Sequence, residues 1–235
     1  MVISIVFFFI LWTLKILEDT HHIPFHILLV KILVPGYVGI TCLYNLVAPE
    51  IEKTHLITLA LLFAMFAEIV NAIGMDYGLL FFGVTHALLL SFHWKKTQYL
   101  ESVCTIDISK HKKIEFISLI IFAILYLIIV VVIELNLHEH NIKYELVIPL
   151  YMLILSMMAW RSVCTYGENQ SGRIIIGSIL FYLCDVFILG ELTAPDFRNP
   201  PLLLLILSWI TYLPALFLLS TIGKKIFNFK KYKNF

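Results

Sequence analysis

Eight long apolar runs separated by short polar breaks constrain this chain more than any motif within it. They fall near residues 2–17, 25–47, 55–73, 77–94, 116–135, 146–164, 173–192 and 202–222. Most approach the ~20 residues that an apolar helix needs to cross the hydrocarbon core of a bilayer. With 60% hydrophobic and 14% charged residues and a mean hydropathy of +0.93, too little polar surface exists to clothe a soluble domain of 235 residues. Lipid offers no partner to a backbone N–H or C=O, so a chain of such runs must satisfy those groups inside each segment. The expected fold is therefore all-α, a polytopic membrane bundle of eight transmembrane helices forming a single domain.

The first run has the apolarity of a signal peptide, but it lacks a basic start and a small-residue cleavage site and is read as a span. Of the connections, only Lys95 to Lys113 is long enough to hold a surface helix. Placing both termini in the cytoplasm puts thirteen lysines and arginines inside against two, Lys143 and Arg198, outside. Such a bias sets the orientation, because cytoplasmic loops carry the positive charge, and the expected location is a bacterial inner membrane. No basic patch is interleaved with aromatics, so a nucleic-acid partner is not expected. Cys42, Cys104, Cys164 and Cys184 show no CxxC spacing, which indicates packed, reduced thiols. His21, His22, His26, His138 and His140 cluster in or near the outer loops without metal-ligand spacing, and neither metal nor cofactor is expected.

Polar residues inside the runs are the functional signal, because an ionised group is costly in hydrocarbon unless it faces a cavity or a partner. Asp185 lies in GSILFYLCDVFILGE and Glu68 in LLFAMFAEIV. Counted at 1.5 Å per residue, they lie ~18 and ~20 Å from the inner starts of their helices, just outside the midplane. His86 reaches nearly the same level from the other side, while Lys31 lies nearer the outer surface. An internal repeat accompanies them: KILVP and ELVIP each place a charged residue four positions before a proline, and each acid follows an LF pair. It suggests two parallel four-helix halves meeting at a central cavity, with the acids in equivalent positions. Each residue also has a plainer reading. Either acid can be a packing carboxylate, His86 a satisfied core histidine, and Lys15 a snorkelling lysine. Arg161 marks the inner phosphate boundary, and Tyr151, Tyr182, Tyr212 and Trp160 suit packing or an aromatic belt.

KILVP, LLFAMFAE followed by THALLLSF, LYMLILSMMAWR, GSILFYLCD and TYLPALFLLST, in that order, resemble the motifs of the YhhN family of membrane proteins, whose characterised members are lysoplasmalogenases. The resemblance covers most of the chain from Lys31 onward and implies an eight-span fold. It also implies hydrolysis of the vinyl-ether bond of a lysoplasmalogen, giving a fatty aldehyde and a glycerophospho-alcohol. The substrate would be a lysophospholipid or ether lipid met among membrane lipids. Asp185, His86, Lys31, Tyr151 and Arg161 match the family pattern; Glu68 stands where the pattern has Asp and Leu216 where it has Gln. The implied catalytic residues are Asp185, Glu68 and His86, and the implied substrate-binding residues Lys31, Tyr151, Arg161, Tyr182 and Tyr212. Two buried carboxylates held close resist ionising together, which leaves one to hold a proton and one a charge. One alternative is a non-catalytic lipid-binding member of the same family; the rival class is a proton- or cation-coupled transporter, whose mark would be helices broken beside the acids. No proline interrupts either acid-bearing run. A retinal protein is excluded because no lysine occurs between Lys143 and Lys224.

Overall fold

The computed structural model describes residues 25–48, 54–72, 77–102, 108–137, 147–167, 170–192 and 202–223. The first apolar run and the outer histidine loops lie outside the described residues. The described residues form seven α-helices: α1 Phe25–Val47, α2 His55–Ala72, α3 Gly78–Ser102, α4 Ile108–Leu137, α5 Val147–Val163, α6 Ser171–Leu192 and α7 Leu202–Ser220. Among the described residues there is no strand, and the described fold is all-helical. The helices are 17 to 30 residues long. Two contain a stretch that is both long and apolar enough to cross a membrane, His111–Ile133 in α4 and Ser171–Gly190 in α6. Shorter apolar helices lie at Val34–Val47, His55–Asn71, Val147–Val163 and Ile206–Ser220.

Helix bounds follow the apolar runs closely except around Lys95 to Lys113. There the structure extends α3 to Ser102 and begins α4 at Ile108, so flanking helices take up most of what sequence offered to a separate surface helix. Lys, Gln, Leu and Glu after Trp94 are good helix formers, and with no glycine or proline among them nothing stops the helix. Pro149 lies in the first turn of α5, where its missing N–H has no intrahelical partner to lose. Pro35 and Pro214 lie inside α1 and α7, each removing a main-chain bond.

Six helices pack as a closed ring in the order α1, α2, α3, α5, α6, α7 and back to α1, with α2 also touching α7. Helix α4 packs on the outside of the ring, against α5 and α6. Around the ring, α1–α2–α3 is followed by α5–α6–α7 in the same sense, which sets α2 with Glu68 opposite α6 with Asp185. Interhelical hydrogen bonds fasten one end of the ring. Asn45 Nδ2 donates to the Ser220 carbonyl oxygen at 2.8 Å, and Thr58 Oγ1 donates to Asn45 Oδ1 at 2.6 Å, joining α7, α1 and α2. Midway, the Tyr37 hydroxyl donates to the Leu213 carbonyl at 2.9 Å. Bonds of this kind contribute about 0.6–2 kcal/mol each in a bilayer. Helices α6 and α7 pack tightly at Gly177, where an added Cβ would meet Leu218 Cβ and Leu219 Cδ2 at 3.3 Å.

Candidate active site

Three side chains from three ring helices converge on one carboxylate oxygen. Asp185 Oδ2, from α6, accepts a hydrogen bond from the Tyr151 hydroxyl of α5 at 2.7 Å and lies 2.5 Å from His86 Nε2 of α3. His86 Nε2 and the Tyr151 hydroxyl are themselves 3.1 Å apart. All three residues are buried, His86 completely so. Nε2 faces the carboxylate, which leaves Nδ1 as the ring nitrogen turned away from it. That nitrogen is buried without a hydrogen-bond partner among the described residues. The imidazole orientation is fixed further by edge-on contacts with Phe181 at 4.7 Å and Tyr151 at 5.5 Å.

The other carboxylate stands close by. Glu68, half-buried on α2, lies within electrostatic range of Asp185 and faces the Tyr212 hydroxyl, which makes no direct hydrogen bond among the described residues. Tyr212 stacks against Phe181 at 5.7 Å and Phe82 at 6.3 Å, so an aromatic layer lies between the Glu68 side and the His86 side. Tyr37 and Tyr151 each follow a proline by two residues, and Thr85–His86 has its counterpart in Thr211–Tyr212. Halves of matching plan thus present different chemistry: a histidine and a tyrosine on Asp185, a tyrosine facing Glu68.

Not every residue singled out from sequence reaches this centre. Arg161 lies ten residues along α5 from Tyr151, about 15 Å by helical rise. Its Nη1 donates to Glu115 Oε1 of α4 at 2.6 Å, and its guanidinium lies 4.2 Å from the Trp94 ring centre and 5.2 Å from that of Trp160. Trp160 Nε1 in turn donates to the Glu115 carbonyl at 3.1 Å. Buried between two indoles and a carboxylate, Arg161 locks α3, α4 and α5 together instead of lying open to phosphate. Tyr182 is buried, packs edge-on against Phe122 of α4 at 5.6 Å, and leaves its hydroxyl unpaired among the described residues. Lys31 falls on α1, and its side chain lies outside what the structure describes. Leu216 is fully buried in the apolar core.

Sequence reasoning missed His93 and Ser178. His93 Nε2 and Ser178 Oγ are 2.9 Å apart and both residues are completely buried. They sit seven residues from His86 and from Asp185 on the same two helices, two turns toward the Arg161 end. That shared spacing was readable in the sequence. Glu115, the partner of Arg161, was missed as well. Several polar atoms in this interior have no partner among the described residues: His86 Nδ1, His93 Nδ1, Ser156 Oγ, the Tyr182 hydroxyl and Arg161 Nε. Each such group would cost about 1–3 kcal/mol if left dry and unpaired.

The sequence profile of the YhhN family matches residues 27–222, most of the chain and every helix that carries the site. The chain belongs to the YhhN family. As a YhhN-family member with apolar helices it is a membrane protein. No curated protein and no solved structure matches it.

Proposed function

We propose that this YhhN-family chain is a multi-pass membrane hydrolase that cleaves the vinyl-ether bond of a lysoplasmalogen, releasing a fatty aldehyde and a glycerophospho-alcohol. On this reading the chain crosses a bacterial inner membrane eight times with both termini cytoplasmic, and the Arg161 end of the ring faces the cytoplasm. The observation that carries the proposal is the buried Asp185–His86–Tyr151 cluster with the second carboxylate, Glu68, across the ring.

Vinyl-ether hydrolysis begins with proton delivery to the β-carbon, which leaves an oxocarbenium ion. Water then adds to the α-carbon, and the hemiacetal collapses to aldehyde and alcohol. Asp185 Oδ2 already serves two neighbours, so the geometry suits it to act as the anion that orients His86 and stabilises positive charge. His86 Nδ1 then takes the proton of the attacking water. Glu68 is left as the proton donor, with Tyr212 positioning its carboxyl. Lys31 would hold the phosphate of the headgroup. The deciding experiment gives purified protein lysoplasmalogen and, separately, an ester lysophospholipid. Aldehyde from the first without fatty acid from the second supports the assignment; folded protein that releases neither refutes it.

A further inference from the structure

Behind the acid site, a second line of polar residues follows α3, α5 and α6 toward the Arg161 end, with α4 packed over Tyr182 and Arg161. Measured from Tyr151 and Asp185 by helical rise, Tyr182 lies about 4.5 Å along it, Ser156 about 7.5 Å, the His93–Ser178 pair about 10.5 Å and Arg161 about 15 Å. The levels correspond across the three helices, since His86 meets Tyr151 and Trp94 meets Arg161 on the parallel pair α3 and α5. Helices α3 and α6 each pack on α5, and the two hydrogen-bonded pairs that join α3 to α6, His86–Asp185 and His93–Ser178, span between them through side chains.

Every level offers a hydrogen-bonding atom that the described protein leaves unpaired. Five of the eight such buried atoms fall on this line: His86 Nδ1, the Tyr182 hydroxyl, Ser156 Oγ, His93 Nδ1 and Arg161 Nε. Their residues are all at most 5% exposed. Tyr182 and Ser156 face one another across the α5–α6 seam, close enough to interact but without a well-formed hydrogen bond. Polar groups so placed are the usual anchors of buried water, which makes about three hydrogen bonds to atoms that otherwise lack partners. Packing alone accounts for one histidine–serine pair. It does not account for unpaired atoms repeating at each level along one seam.

We propose that the α3–α5–α6 seam holds a file of ordered waters running from the Arg161 end past His93, Ser178, Ser156 and Tyr182 to His86 Nδ1, and that this file supplies the water consumed at the site. Its supply role rests on the hydrolase reading; the presence of the water does not. His93 and Ser178 are positioning residues in it, since they touch the waters and not the substrate. Each hydrolysis removes one water at the His86 end, and the file refills from the Arg161 end, where Lys95, Lys96, Lys112 and Lys113 flank the bundle.

Radiolytic hydroxyl labelling of the full-length protein in ¹⁸O water reads the file without using activity. Tyr182 is expected to take up ¹⁸O faster than Tyr37, which is as deeply buried but hydrogen-bonds the Leu213 carbonyl away from the seam. Equal, slow labelling of the two tyrosines overturns the proposal. His93→Phe fills the middle of the seam and is expected to lower Tyr182 labelling by about tenfold, the scale of displacing a well-held bridging water. His93→Gln, which keeps a polar tip, should restore it and guards against misfolding of the phenylalanine variant. For the supply role, His93→Phe should lower kcat for aldehyde release by a similar factor with KM unchanged, and unchanged kcat despite lost labelling overturns that role. Labelling at Tyr182 in a protein that releases no aldehyde would refute the hydrolase assignment and leave the water file standing.

Discussion

Replacing Asp185 by asparagine separates chemistry from architecture at the point where three helices meet. Both contacts fall on the same oxygen, Oδ2, at 2.7 Å from the Tyr151 hydroxyl and 2.5 Å from His86 Nε2. An asparagine that turns its Oδ1 into that place keeps an acceptor for both donors. What it loses is the charge that strengthens them, about 1 kcal/mol per bond given 1.5–3 kcal/mol for charged and 0.5–1.5 for neutral hydrogen bonds. Stability should therefore fall by about 2 kcal/mol, leaving a folded protein. The amide cannot carry the proton chemistry through His86, so turnover should fall by about 10²–10⁴-fold, or roughly 3–5 kcal/mol in barrier. Asp185→Leu inverts the balance: it strands a buried hydroxyl and a buried imidazole N–H and costs about 2–6 kcal/mol of stability. The assay is aldehyde release per folded molecule, with the folded fraction taken from size exclusion and a thermal melt. Near-normal turnover by folded Asp185→Asn refutes the catalytic role, and a loss that merely tracks the folded fraction assigns Asp185 to structure.

Glu68→Asp restores the residue of the family pattern and should retain or raise aldehyde release, whereas Glu68→Gln should lower it by about 10²-fold or more in the same assay. Arg161→Lys keeps the charge but loses the flat group held between Trp94 and Trp160 and bonded to Glu115, and a thermal melt should report about 1–2 kcal/mol lost; an unchanged Tm contradicts the clamp. Gly177→Val drives a branched side chain into Leu218 and Leu219 and should cost about 1–3 kcal/mol, with Gly177→Ala costing less. Reporter fusions in the connection near residue 105 and after residue 225 should report the same side of the membrane, and opposite sides would defeat the proposed topology.

Much of the helix plan was readable because apolar runs in a membrane chain end where charge, proline or glycine begins. Helix α1 coincides with its run, and α5 and α7 differ from theirs by at most two residues at either end. Counting from the helix starts put Asp185, Glu68 and His86 near one level, and His86 does meet Asp185. Rotation about the helix axis was not readable. When nearly every position is apolar, periodicity no longer marks the inner face, so the pattern itself did not separate Tyr151 from Tyr182 as the partner of Asp185, and only the family resemblance favoured Tyr151. Glu115 was hidden for a different reason. It stands two residues after Lys113, at the edge of the apolar run, and only the packing of α4 against α5 turns it toward Arg161.

Helix α4 carries a different kind of information from the helices of the ring. Only 11% of its most apolar stretch is buried, and Ile117, Ile120, Ile121, Ile124, Leu127, Ile128 and Val131 are largely exposed. For those positions the hydrocarbon around the protein is the only neighbour that matters, and it cannot tell one branched alkyl group from another. Their spelling is therefore interchangeable while their vocabulary is not: shuffling isoleucine, leucine and valine among them should be silent, and a single lysine at the centre should not. The contacts of α4 that depend on letter order are those that touch the ring, among them Glu115 with Arg161, Phe122 with Tyr182 and the buried Ser118 and Ile133, and between relatives these should hold still while the exposed face drifts.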